Sequence, residues 1–131
     1  MSTSTPPASE SKALLWVGWV LGTLPALMIA VGGVMAITKQ TIAIEGFSKH
    51  GYDPQSAPAI GVAALVSAVL YLIPRTAALG AILLTGYLGG AVATHVRVGE
   101  GFAPPVIVGV LVWLGLVLRD SRLRSVLPWR R

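Results

Sequence analysis

The stretch "YLIPRTAALGAILLTGYLGGAVATHVRVG", residues 71–99, decides the fold. Between Arg75 and His95 it holds no charged side chain. At 1.5 Å per helical residue, the run 76–94 reaches roughly 28 Å, close to the thickness of a bilayer's hydrocarbon core. Pro74 cannot continue the preceding helix, because it lacks an N–H and its ring clashes with the turn before it. The apolar run before Pro74 and the run after Arg75 therefore form a tight helical hairpin, with Pro74 and Arg75 at its turn.

The rest of the chain has the same character. Of its 131 residues, 54% are hydrophobic and only 11% are charged, against about 25% charged in soluble domains. Mean hydropathy is +0.75. Four apolar blocks stand out, at about residues 13–37, 59–73, 76–94 and 103–118. Pro25 in the first is expected to kink its helix. Pro58 and the "APP" at 103–105 suit helix starts, where a missing N–H costs little. A soluble bundle would need a polar face on every helix, and these blocks show almost none. A transmembrane barrel would need alternating strands, which are also missing. The expected fold class is all-α, an integral membrane bundle of four transmembrane helices. Block one is too long for a signal h-region and follows a weakly charged start, so it is expected to stay as an anchor.

Flanking segments are polar. Residues 1–12 read as a flexible tail rich in Ser, Thr and Pro, and residues 119–131 as a basic tail. The net charge of +5 does not point to nucleic acid, because five of the ten Lys and Arg residues lie after residue 118. With four spans both termini share one side. That side holds Lys12, Arg75, Arg119, Arg122, Arg124, Arg130 and Arg131; the other holds Lys39, Lys49 and Arg97. Basic loops stay inside, so the termini are expected in the cytoplasm.

Few residues offer chemistry. Cysteine is absent, which excludes disulfides and thiolate metal sites. With two histidines in the chain, no metal site is expected. Gly86 and Gly90 form a GxxxG pair, whose reading is helix packing within the bundle or between two copies of the chain. Tyr87 and His95 share a helix face, with Thr94 and Arg97 beside them. Tyr87, Thr94, His95 and Arg97 are the candidate ligand-binding set, suited to a quinone carbonyl or a carboxylate. The competing reading makes His95 and Arg97 interfacial anchors. His50 and Tyr52, in the polar connection 38–58, are expected to be solvated. Trp16, Trp19, Trp113 and Trp129 read as interfacial or packing residues.

The quoted stretch resembles the signature of the DoxX-like family of small four-span bacterial membrane proteins. "VLVWLGLVLRDSRLRSVLP", residues 110–128, is similar to that family's closing segment, and "KHGYDP", residues 49–54, to its first loop. The resemblance implies a four-helix membrane bundle, expected in the inner membrane of a bacterium. It also implies an association with membrane redox systems, since some relatives are subunits of quinone-linked oxidoreductases. Relatives often carry Glu about ten residues before the Pro-Arg pair, where this chain has Ala64. Lacking that carboxylate, the chain is a poorer candidate for proton-coupled chemistry. The resemblance favours an accessory subunit of a membrane redox system, with oxidoreductase subunits or a second copy of the chain as partners. A binder or enzyme for a quinone or other lipophilic molecule is the alternative, and a small transporter ranks last. No catalytic residue is assigned.

Overall fold

A computed structural model describes residues 12–126. Of the expected tail at residues 1–12, residues 1–11 lie outside the described residues, as do Trp129, Arg130 and Arg131, and Lys12 opens the first helix. The elements are α1 (Lys12–Ile37), α2 (Thr41–Lys49), α3 (Ala57–Leu72), α4 (Ala77–Arg97), α5 (Ala103–Arg119) and α6 (Ser121–Val126). Short 3₁₀ turns at Pro54–Ser56 and Pro74–Thr76 lead into α3 and α4. Among the described residues there is no strand. Helix α1 runs through Pro25 unbroken. Helix α4 continues to Arg97, so "THVR" is its last turn and the helix runs past the expected span end at residue 94.

The four long helices close a ring in the order α1, α3, α4, α5, with α5 returning to α1. Small residues make this ring possible. Along α1 the buried positions are Gly18, Gly22, Pro25, Ala26, Ile29, Gly33 and Ala36, which fall three or four apart and so form one stripe. A Cβ on Gly33 would sit 2.8 Å from the Gly61 carbonyl oxygen of α3, and one on Gly115 of α5 would sit 2.7 Å from the Gly22 Cα. Backbones touch directly at both seams, which is how helices gain contact where lipid offers little hydrophobic drive. Gly86 and Gly90 take no part in this packing. Both are exposed, and a Cβ on either would meet nothing within 4 Å. The expectation of an internal GxxxG seam is corrected here: the contacts fall on glycines of α1, α3 and α5.

Tyr71 is the central node, fully buried between α1, α4 and α5. Its hydroxyl donates to the Val112 carbonyl at 2.6 Å. The outside is the reverse of a soluble surface. Leu24, Met28, Val31, Ile82, Ile107 and Val110 each expose more than half of their area. Three helical segments, 12–37, 54–72 and 74–97, are long and apolar enough to cross a bilayer, and α5 is a shorter apolar helix. In such helices every backbone group is satisfied internally, as a hydrocarbon solvent demands. The chain is an all-α membrane helical bundle.

Candidate functional site

The site lies at the end of the bundle remote from the termini, where α2 covers a gap between α1, α3 and α4. Its helix "TIAIEGFSK" is two-faced. Ala43, Gly46 and Phe47 line a cavity beneath it, with Ile42 at its edge and largely exposed, while Glu45, Ser48 and Lys49 point away and are exposed. This i, i+1, i+4, i+5 pattern is the signal for a covering helix, in a segment read from sequence as a polar loop. Gly51 (φ +86°) then turns the chain back over the bundle. Asp53 accepts from the Gln55 N–H at 2.9 Å and so caps the turn into α3.

The cavity holds about 570 Å³ and its walls are mainly apolar. Gly86, Gly90 and Ala91 of α4 form one wall, and Gly61 and Ala64 of α3 another. The missing side chains at Gly86 and Gly90 are what leave the room. Ala64 is buried in the wall, so no carboxylate faces the cavity from this position of α3.

Polar groups gather at one end. Thr94 donates to the Gly90 carbonyl at 2.8 Å. Its single proton is thereby used, so at 2.5 Å it accepts from the Tyr52 hydroxyl. Tyr87 lines the same cavity, half-buried, and no hydrogen bond from its hydroxyl exists among the described residues. His50 and His95 both line the cavity, with ring centroids 5.3 Å apart. Glu100, held by the turn at Gly99 (φ +79°), reaches both: its Oε1 is 2.8 Å from His50 Nε2 and 3.8 Å from His95 Nε2. The hydrogen bond to Glu100, helped by the Gly46 carbonyl, raises the His50 pKa above its ordinary value. That same bond from His50 holds the Glu100 pKa below its ordinary value.

The structure thus brings Tyr87, Thr94 and His95 of the expected set together. Arg97 stands apart from the cavity. Its guanidinium donates to the His50 carbonyl at 2.8 Å and lies over the Tyr52 ring at 5.1 Å, so it ties the covering segment to α4. His50 and Tyr52, expected in solvent, are half-buried members of the site. Pro74 and Arg75 are at the opposite end, exposed at the hairpin turn. The ligand-type atoms of His50, His95 and Glu100 all lie within 4.8 Å of one another. Chemically, the site joins an apolar chamber to a rim of hydroxyl and imidazole groups.

Comparison with curated proteins and with solved structures gave no match. One family model matches residues 20–115. That range takes in α3 and α4 entirely, most of α1 and α5, and every residue that lines the covered cavity. The chain belongs to the DoxX-like family.

Proposed function

We propose that this membrane bundle binds a small lipophilic molecule with a hydrogen-bonding head, of which a quinone is the class the family resemblance suggests. The observation that carries this reading is a mainly apolar cavity whose wall presents the Tyr87 hydroxyl, unpaired among the described residues. The hydroxyl is free to donate to a ligand's carbonyl. The volume is within the range for small-molecule sites, roughly 300–1,000 Å³, and the mix of apolar walls with few polar groups is their usual make-up. A role as accessory subunit of a quinone-linked membrane system is the setting in which such binding would be used.

The test fills the cavity without touching the fold. Gly90→Leu places its side chain where a Cβ meets nothing. A short-chain quinone should raise the Tm of the purified wild-type chain in detergent. It should leave Gly90→Leu unmoved and stabilise Tyr87→Phe less. Equal stabilisation of wild type and Gly90→Leu would overturn the reading.

A further inference from the structure

The covering segment assembles three side chains whose lone pairs converge. His50 Nδ1 lies 2.8 Å from the Gly46 carbonyl oxygen, and His95 Nδ1 lies 2.7 Å from the Ala91 carbonyl oxygen. A carbonyl only accepts, so Nδ1 carries the proton in both rings. In the neutral rings Nε2 then bears the lone pair, and both Nε2 atoms face one carboxylate oxygen of Glu100. With neutral rings, two lone pairs and an anion converge, an arrangement completed either by a proton on His50 Nε2 or by a metal cation held among the three.

We propose that His50, His95 and Glu100 bind a divalent first-row transition ion, with its open coordination position at the edge of the cavity. The set matches the two-histidine, one-carboxylate composition of three-ligand zinc and non-haem iron sites. Histidine ligands of metals regularly donate their other N–H to a backbone carbonyl, which fixes tautomer and ring orientation; both rings already do so. Ligand atoms around a tetrahedral ion with bonds of about 2.0–2.1 Å lie roughly 3.3 Å apart. Two of the three separations here, 2.8 and 3.8 Å, bracket that spacing, and the third is within 4.8 Å. The ligands come from three places: His50 ends α2, His95 is in the last turn of α4, and Glu100 is in the turn after it. Binding would therefore pin the cover to the bundle. Arg97, which holds the His50 carbonyl at 2.8 Å, positions one ligand without joining the set. The inference stands whether or not the cavity takes a quinone.

The experiment uses the full chain, purified in detergent with any affinity tag removed. It is loaded with Zn²⁺, dialysed against metal-free buffer and assayed for metal; Co²⁺ serves as the spectroscopic probe. The expected result is about one ion retained per chain, a visible Co²⁺ absorption of low-symmetry coordination, and a higher Tm with Zn²⁺. Glu100→Gln and His95→Ala should each weaken Zn²⁺ binding by more than the 10- to 100-fold typical of outer-shell changes and abolish the Tm rise. Glu100→Gln alters a turn residue outside the helices, so its metal-free Tm reports whether the fold is intact. No retained metal, or equal retention by wild type and both variants as an adventitious ion, would overturn the site. Neither result bears on quinone binding, which Gly90→Leu reads separately.

Discussion

Tyr71 shows how one residue organises the bundle. It is a large polar side chain with no exposure at all, and its only route to satisfaction is the 2.6 Å bond to the Val112 carbonyl. Interhelical hydrogen bonds in bilayers average about 0.6 kcal/mol and reach about 1.7. Tyr71→Phe should therefore lower the unfolding free energy by roughly 1 kcal/mol, measured by reversible denaturation in mixed micelles. The hydroxyl also occupies the space beside Gly22, where an added Cβ would meet it in hard contact. Gly22→Ala should consequently cost less in the Tyr71→Phe background than in wild type. Strict additivity of the two would show that the hydroxyl and Gly22 do not share that space.

At the scale of elements, glycines divide into those that join helices and those that open a chamber. Gly33 and Gly61 meet backbone to backbone, so Gly33→Ala must push α1 and α3 apart, at a cost of about 1–3 kcal/mol. Gly86→Ala meets nothing and should change stability by no more than about 0.5 kcal/mol. Parallel thermal melts of the two variants check the contrast; equal losses would restore Gly86 as a packing residue. The same division explains what could be read in advance. Spans were legible in the bare sequence because a bilayer sets a length and forbids charge, and both constraints are local. Which glycines touch depends on the order of helices around the ring, which composition does not encode. The site was half legible. Tyr87, Thr94 and His95 lie within one helix, where spacing alone places them on or beside one face. His50, Tyr52 and Glu100 join them only because α2 folds back across the bundle. Its apolar face at Ile42, Ala43, Gly46 and Phe47 was the one available clue, hidden in a segment whose charges suggested solvent. Arg97 belongs with this covering element. Arg97→Met should leave global stability within about 1 kcal/mol, since its bond is exposed, yet speed amide exchange at residues 50–56. Unchanged exchange there would mean that Arg97 does not hold the cover.

For the whole molecule, the open matter is which end faces the cytoplasm. The cavity and its covering helix occupy one end, and the hairpin turn at Arg75 and helix α6 occupy the other. Among the described residues, Lys12, Arg75, Arg119, Arg122 and Arg124 lie on the α6 side and Lys39, Lys49 and Arg97 on the covered side. Because excess Lys and Arg in short loops stays cytoplasmic, the covered end should face outward. A ligand or metal ion would then reach the site from the outer face or from the outer leaflet. The chain has no cysteine, so single substitutions make clean reporters. Ser48 on α2 and Ser125 on α6 are both exposed. In intact cells, a membrane-impermeant maleimide should label Ser48→Cys and spare Ser125→Cys until the membrane is opened. The reverse pattern would place the site in the cytoplasm. Moving charge supplies the causal check. Replacing Arg119, Arg122 and Arg124 by Gln while adding Lys residues beside Lys39 should weaken the preference, and part of the Ser125→Cys population should then become accessible from outside. Labelling that stays wholly one-sided would show that orientation is set by something other than the loop charges, with the first helix as the next element to test.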